Sequence, residues 1–268
     1  MLSVIVPTMG TRLAELDRLL KSIFVQNIEV EVIIVVQSNH DSVQKMLNKY
    51  KDLDLKVFYV HFKGLSKSRN FAMKYVTGSW VIFSDDDCWY PEKYFHNAIK
   101  YIQDKPIVIS SIYDPVLNKS YKRYPLKQKE YTMKDIFRIS SIEIIINIEK
   151  IPKKYIRFDE NFGLGAEYPI GEETTLMFDL WKLGFRKIYF NPEIIVFHLK
   201  KDIKPSQLDY YSKGAFFARN FPGFSGKILG LLFIVKKNKL SKNNPFSFRN
   251  ILKGYEDYSK KRIKNNYM

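Results

Sequence analysis

The stretch SWVIFSDDDCWYP, residues 79–91, sets a short apolar run directly before three consecutive carboxylates, Asp85, Asp86 and Asp87. Such a run, bounded by polar residues, reads as a strand. Upstream, SVIVPT (residues 3–8) and LKVFYVHF (55–62) also read as strands, and EVEVIIVVQS (29–38), nearly continuously apolar, as one covered on both faces. Between them RLAELDRLLKSIF (12–24) puts Leu13, Leu16, Leu19, Leu20 and Ile23 at helical spacing, and DSVQKMLNKY (41–50) opens on an N-cap candidate, Asp41. SKSRNFAMKYV (66–76) reads as a third helix. Strands alternating with helices predict an α/β chain with a largely parallel sheet. Open parallel sheets bind ligands beyond the carboxyl ends of their strands, which is where the three aspartates fall.

Beyond Tyr90 the pattern loosens. The spacing predicts a helix over 91–103, a strand over 106–113 and a Lys/Tyr-rich insertion or flexible loop over 114–134. IEIIINI (142–148) reads as a strand, EETTLMFDLWKLG (172–184) as a helix ended by Gly184, and RKIYFNPEIIVFH (186–198) as strands broken at Pro192. A helix over 206–220 and the apolar run ILGLLFIV (228–235), flanked by lysines, follow.

Composition excludes several classes. With 46% hydrophobic and 15% aromatic residues over 268 positions, the chain is globular rather than disordered or collagen-like. A single cysteine, Cys88, rules out an internal disulfide and a thiolate metal site, and fits a reducing compartment. The start MLSVIVPTMG lacks the features of a signal peptide, and no apolar run reaches the roughly 20 residues of a spanning helix. A cytoplasmic location is expected. The net charge of +16 is lopsided: residues 200–268 carry 16 Lys and Arg against 4 Asp and Glu, whereas residues 1–199 carry 28 against 24. The expectation is a balanced body with a basic appendage that meets an anionic partner, phospholipid or nucleic acid; the plain alternative is a solubilising surface.

Adjacent carboxylates repel, a cost offset when a divalent cation neutralises them, and hard oxygen ligands suit Mg2+ or Mn2+. Asp85 and Asp87 are the natural pair. Because Mg2+ completes its shell with water and substrate phosphates, a diphosphate substrate is implied. The competing reading is a solvated acidic turn before the next helix. Glu172 and Glu173 begin a helix, where the dipole favours carboxylates, and one of them can serve as a general base. His198, at a strand end, is either a third metal ligand or an ordinary hydrogen-bonded histidine. Ser66, Arg69 and Asn70 open a helix after a strand, a place suited to phosphate or nucleotide as well as to simple capping.

In that order SVIVPT, GLSKSRN (64–70), FSDDDCWYP (83–91), FDENFGLGA (158–166), GEETTL (171–176) and VFH (196–198) resemble the family-two inverting glycosyltransferases of the GT-A fold, over about residues 3–198. The resemblance implies a Rossmann-like nucleotide-diphospho-sugar transferase fold, with a mostly parallel central sheet flanked by helices and a basic helical appendage. It implies a catalytic domain over 1–199, with a nucleotide-sugar half (1–105) and an acceptor half (106–199), and an extension over 200–268. It makes Asp87 a direct ligand of Mn2+ or Mg2+, puts Asp85 near the ribose or metal, Asp86 beside the nucleotide, and His198 at the third metal position. The base falls on Glu173, where this chain has Glu-Glu instead of the usual Glu-Asp, so Glu172 stays in the set. Pro7, Thr8, Ser66, Arg69 and Asn70 match positions near the nucleotide. Gln37 or a neighbour stands where an aspartate commonly accepts the uracil imide proton; an amide carbonyl can do the same, and its NH2 can meet another base, so thymidine and guanosine donors stay open beside uridine.

The implied reaction moves a sugar from a nucleotide-diphosphate donor, with uridine the default base, to a hydroxyl of a glycan or lipid-linked glycan acceptor in surface-polysaccharide assembly. ILGLLFIV between lysines is either a membrane-interface element, giving peripheral contact with an anionic membrane, or an ordinary packed helix. A catalytically inactive sugar-binding scaffold and a metal-dependent nucleic-acid enzyme are the alternatives. No basic and aromatic interleaving points to nucleic acid.

Overall fold

The computed structural model describes residues 1–26, 28–201, 205–240 and 246–266, with the backbone alone for 236–240, 246–247 and 263–266. Its first part alternates as read: β1 (Leu2–Thr8), α1 (Leu13–Phe24), β2 (Val30–Val36), α2 (His40–Leu47), β3 (Asp54–Tyr59), α3 (Leu65–Met73) and β4 (Trp80–Phe83). There follow β5 (Cys88–Trp89), α4 (Tyr94–Ile102), β6 (Ile107–Asp114), β7 (Lys119–Ser120), β8 (Lys129–Tyr131) and β9 (Ile144–Asn147). The rest is α5 (Glu172–Lys182), β10 (Ile188–His198), α6 (Gln207–Asn220), α7 (Phe224–Leu240) and α8 (Phe246–Asn266).

One mixed sheet runs β3-β2-β1-β4-β9-β6-β10-β5, with β7 added to β6 and β8 to β10. The pairings among β1 to β4 and between β6 and β10 are parallel, and β9 lies antiparallel between β4 and β6. Strand residues alternate between two cores because successive side chains leave a strand on opposite faces. Ile5, Ile33, Val35, Val81 and Phe83 enter one core, with Ala72 of α3, Leu176 of α5 and Phe216 of α6. Val4, Val6, Val32, Ile34 and Ile82 enter the other, with Leu16, Leu19, Leu20 and Ile23 of α1. Burial of each large apolar side chain contributes roughly 1.5–3 kcal/mol, which is why these strands read as continuous apolar runs.

Three sequence expectations change. Residues 114–134 are not simply a loop: β7 pairs with β6, β8 pairs with β10, and Tyr131 is buried against Phe190. Pro192 does not break the strand; β10 runs from Ile188 to His198 with a register shift between Phe190 and Ile195, which absorbs the missing N–H. Residues 141–143 form a 3-10 turn ahead of β9. There the buried Glu143 carboxylate accepts from Lys122 Nζ (2.6 Å), Tyr124 Oη (2.5 Å) and the Ser140 N–H (2.6 Å), partners a strand register would not supply.

The carboxyl-terminal helices complete the first core. Phe216 and Phe217 pack into it together with Tyr255 of α8. α6 and α8 cross so closely that a Cβ on Gly214 would run into the Ile251 carbonyl oxygen, and one on Gly254 into that of Tyr211. Arg219 clamps α6 to the body, donating from Nη2 to Asp179 Oδ2 (2.7 Å) and from Nε to Asp159 Oδ2 (3.1 Å). No helix among the described residues is long and apolar enough to cross a membrane.

Candidate active site

The carboxyl ends of β1, β2 and β4 and the loop before α3 frame a cleft of about 510 Å³. Pro7, Thr8, Gln37, Asp85, Asp86, Asp87 and His198 line it, together with Arg12, Lys63 and Lys201. Asp86 is buried, and its Oδ2 accepts from Thr8 Oγ1 at 2.7 Å. The Arg12 guanidinium spans Asp86 and Asp87, one nitrogen to each. Asp87 also meets Lys201 Nζ at 2.6 Å and His198 Nε2 at 3.3 Å. The His198 contact follows from sheet register, since β10 pairs antiparallel with β5 and sets His198 opposite Cys88, next to Asp87.

The two aspartates respond oppositely to this setting. Burial raises the Asp86 carboxyl above its ordinary value, outweighing Thr8 and Arg12. Burial also acts on Asp87, but the bonds to His198 and Lys201 and the Arg12 charge outweigh it and hold that carboxyl far below the usual range.

Asp85 also lines the cleft but has a different partner. Its Oδ1 accepts from Arg69 Nη2 at 2.9 Å, whereas Asp87 Oδ1 meets His198. Among the described residues no three His, Cys, Asp or Glu side chains converge on one point. The pair Asp87 and His198 still fits a divalent cation, because such ions use one or two protein carboxylates and leave the remaining positions to water and phosphate. Arg12 and Lys201 neutralise that same carboxylate here.

Arg69 is fully buried and links the two acidic groups of the sequence reading. Besides Asp85 it reaches Ser141 Oγ at 2.9 Å and Glu172 Oε1 at 3.3 Å, with its guanidinium carbon 5.2 Å from the Phe158 ring centre. It therefore stands behind the cleft wall rather than in the cleft. Glu172 is buried, and burial, reinforced by the Glu173 charge, pushes its carboxyl well above its ordinary 4.5 against the pull of Arg69. Arg69 lies closer to Asp85, at 2.9 Å against 3.3 Å, so burial prevails and Glu172 is pushed up to about 8. A native pKa above the unfolded one adds stability that is complete below the unfolded pKa and lost as pH rises through the native one. The melting temperature is therefore expected to fall as pH rises above about 4.5. Glu172→Gln should flatten that slope in a thermal-shift series; an unchanged slope would show Glu172 ionised. Glu173, half-buried one residue on in the first turn of α5, is the more accessible of the two.

Ser66 and Asn70 do not line the cleft. Ser66 Oγ donates to the Phe162 carbonyl at 2.5 Å. The Asn70 side chain holds Phe158 at both backbone groups, accepting from its N–H (2.8 Å) and donating to its carbonyl (2.9 Å). Both residues anchor the 158–171 segment over α3, helped by the Leu65 N–H bond to the Leu164 carbonyl (2.8 Å). Gln37 lines the cleft, but its carbonyl oxygen accepts from the Gly64 N–H at 2.8 Å, which sets the entry to α3. Sequence reasoning missed Arg12, Lys63 and Lys201. The available signal was a basic residue a few positions past the ends of β1, β3 and β10, in PTMGTR, HFKG and FHLKK.

The family model described as Glycosyl transferase family 2 matches residues 3–149, more than half of the chain. The chain belongs to glycosyl transferase family 2. The match covers the aspartate cluster and Arg69, while Glu172, Glu173 and His198 lie beyond it and are placed by the fold. The chain is 22% identical over 220 residues to the glycosyltransferase GlyA of Streptococcus pneumoniae serotype 4, covering 75% of this chain and 31% of that protein. It thus spans about a third of that relative's length. Among solved structures, S. aureus TarS 1–349 in complex with UDP-GlcNAc superposes with a TM-score of 0.69 at 19% identity, covering 98% of this chain and 83% of that one. A mannosyltransferase of Pyrobaculum calidifontis, in complex with GDP-Man and Mn2+, gives a TM-score of 0.59 at 13% identity over 99% and 87% of the two chains. At these identities the likeness establishes the GT-A fold.

Proposed function

We propose that the chain transfers a sugar, with inversion, from a nucleotide-diphosphate donor, UDP-linked by preference, to a hydroxyl of a glycan or lipid-linked glycan in surface-polysaccharide assembly. The observation that carries this reading is the convergence of Asp86, Asp87, His198, Arg12 and Lys201 on one cleft at the ends of parallel strands. Residues 1–199 act as the catalytic domain, the donor seated by residues 1–105 and the acceptor by 106–199. The basic residues from 200 onward make peripheral contact with an anionic membrane from the cytoplasmic side.

In the reaction, the carboxylate of Glu173 takes the proton of the acceptor hydroxyl as that oxygen bonds to the anomeric carbon. The bond from the anomeric carbon to the diphosphate oxygen breaks on the opposite face, and the nucleoside diphosphate leaves with the electron pair. A single displacement of this kind inverts the anomeric centre. Lys63, Arg12 and Lys201 supply positive charge along the cleft where the diphosphate gathers negative charge. Mn2+ or Mg2+, held by Asp87 and His198, would add Lewis-acid stabilisation of that leaving group. Thr8, Pro7 and Gln37 shape the nucleoside end.

The test is calorimetry with UDP, TDP, GDP and CMP, each with and without Mn2+. A Mn2+-dependent preference for one diphosphate is expected, and indifference to all of them would favour a non-catalytic scaffold. Asp87→Asn is expected to remove the Mn2+-dependent part of that affinity, by about tenfold or more. Unchanged metal dependence would take Asp87 out of the metal site.

A further inference from the structure

Helix α7 is apolar on two sides, and the described protein covers one of them. Leu229 and Phe233 turn towards the first core, and Ile234 is buried. Gly226 and Gly230 allow a close approach: a Cβ on Gly226 would strike the Phe221 carbonyl oxygen and the Tyr255 ring, and one on Gly230 would lie 3.1 Å from Ile251 Cγ2. These contacts fix the rotation of the helix about its axis. They leave Phe224, Ile228, Leu231 and Val235, spaced by four, three and four residues, as one outward stripe with Leu232 beside it. The five are between 41% and 78% exposed. Single exposed apolar side chains are ordinary, but five on one side of one helix form an interaction surface.

The charge around the stripe selects its occupant. Lys227 is exposed beside it, and Lys236, Lys237 and Lys239 follow it in the chain. Residues 200–268 together hold 16 Lys and Arg against 4 Asp and Glu. A second copy would bring the same positive charge face to face and be repelled. A surface both apolar and anionic satisfies the stripe and the lysines together. No described helix is long and apolar enough to cross a membrane, so an element bound to one would lie along its surface.

We infer that α7 is an in-plane membrane anchor, inserting Phe224, Ile228, Leu231, Leu232 and Val235 among the headgroups of an anionic bilayer with Lys227 beside the phosphates. The inference rests on the peripheral-contact part of the reading above and is independent of its chemistry.

The experiment is co-sedimentation of the full chain with phosphatidylcholine vesicles, with and without about a third phosphatidylglycerol. The comparison variant carries Leu231→Glu and Leu232→Glu, both at exposed positions, so its melting temperature should match that of the parent. The parent is expected to sediment with the anionic vesicles, less so in high salt, and the variant to bind about tenfold or more weakly. Equal binding of parent and variant, or no binding by the parent, overturns the inference. So does concentration-dependent self-association that the variant abolishes, which would make a second copy the occupant. UDP affinity measured on the same samples separates the two readings, since it can fail while vesicle binding persists, and the reverse.

Discussion

Glu173→Gln is expected to lower turnover by about 10²–10⁴-fold while nucleotide affinity is retained, because the change removes proton acceptance and leaves the hydrogen-bonding shape. Glu173 does not line the cleft of Asp85, Asp86 and Asp87, so its replacement should leave the diphosphate contacts with Arg12, Lys63 and Lys201 in place. Steady-state kcat with an active acceptor, set beside UDP titration of the same sample, makes the comparison. Retained turnover with lost donor affinity would contradict the base assignment. Glu172→Gln is the informative companion: a carboxyl that already holds its proton has nothing to lose as a base. If Glu172→Gln were the inactive member and Glu173→Gln the active one, the base would belong one residue earlier.

The second large effect is on stability. Arg69→Met is expected to cost about 3–5 kcal/mol, because removing one member of a buried charged network strands the others. Asp85 loses a partner at 2.9 Å, Ser141 one at 2.9 Å and Glu172 one at 3.3 Å. Because Glu172 can stay protonated, the main loss falls on Asp85 and on the ordering of Ser141. Urea unfolding of the purified variant measures the cost, and a change below about 1 kcal/mol would mean that the guanidinium is not structurally required. A guanidinium that ties a cleft aspartate to the start of α5 also sets the distance between the proposed donor site and the proposed base. A surviving Arg69→Met should therefore lose kcat more than nucleotide affinity.

Much of this was legible beforehand. Local periodicity carried the alternation of β1 to β4 with α1 to α3, since a strand buried on both faces and a helix with one apolar stripe each leave their own repeat in the chain. The run-on from Phe83 into Asp85, Asp86 and Asp87 carried the position of the cleft. Less legible were Pro192, where a bulge shared with β6 absorbed what looked like a strand break, and residues 114–134, whose short strands exist only because β6 and β10 offer edges to pair with. Ser66 and Asn70 sat in the right helix for a nucleotide, yet the 158–171 segment claimed both.

The division of labour among the charged groups belongs to the tertiary structure. Three neighbouring aspartates are alike in a sequence, but Asp85 is drawn to Arg69, Asp86 to Thr8 and Arg12, and Asp87 to His198 and Lys201. The partner of Asp86 on Thr8 lies 78 positions away, and that of Asp87 on Lys201 lies 114 away. Likewise the apolar run 228–235 is visible in the chain, but which of its sides faces water depends on where Gly226 and Gly230 meet α6 and α8. Periodicity reports what a residue does within its own strand or helix. Which charge neutralises which, and which apolar face stays open, is decided by contacts between elements that the chain brings together only on folding.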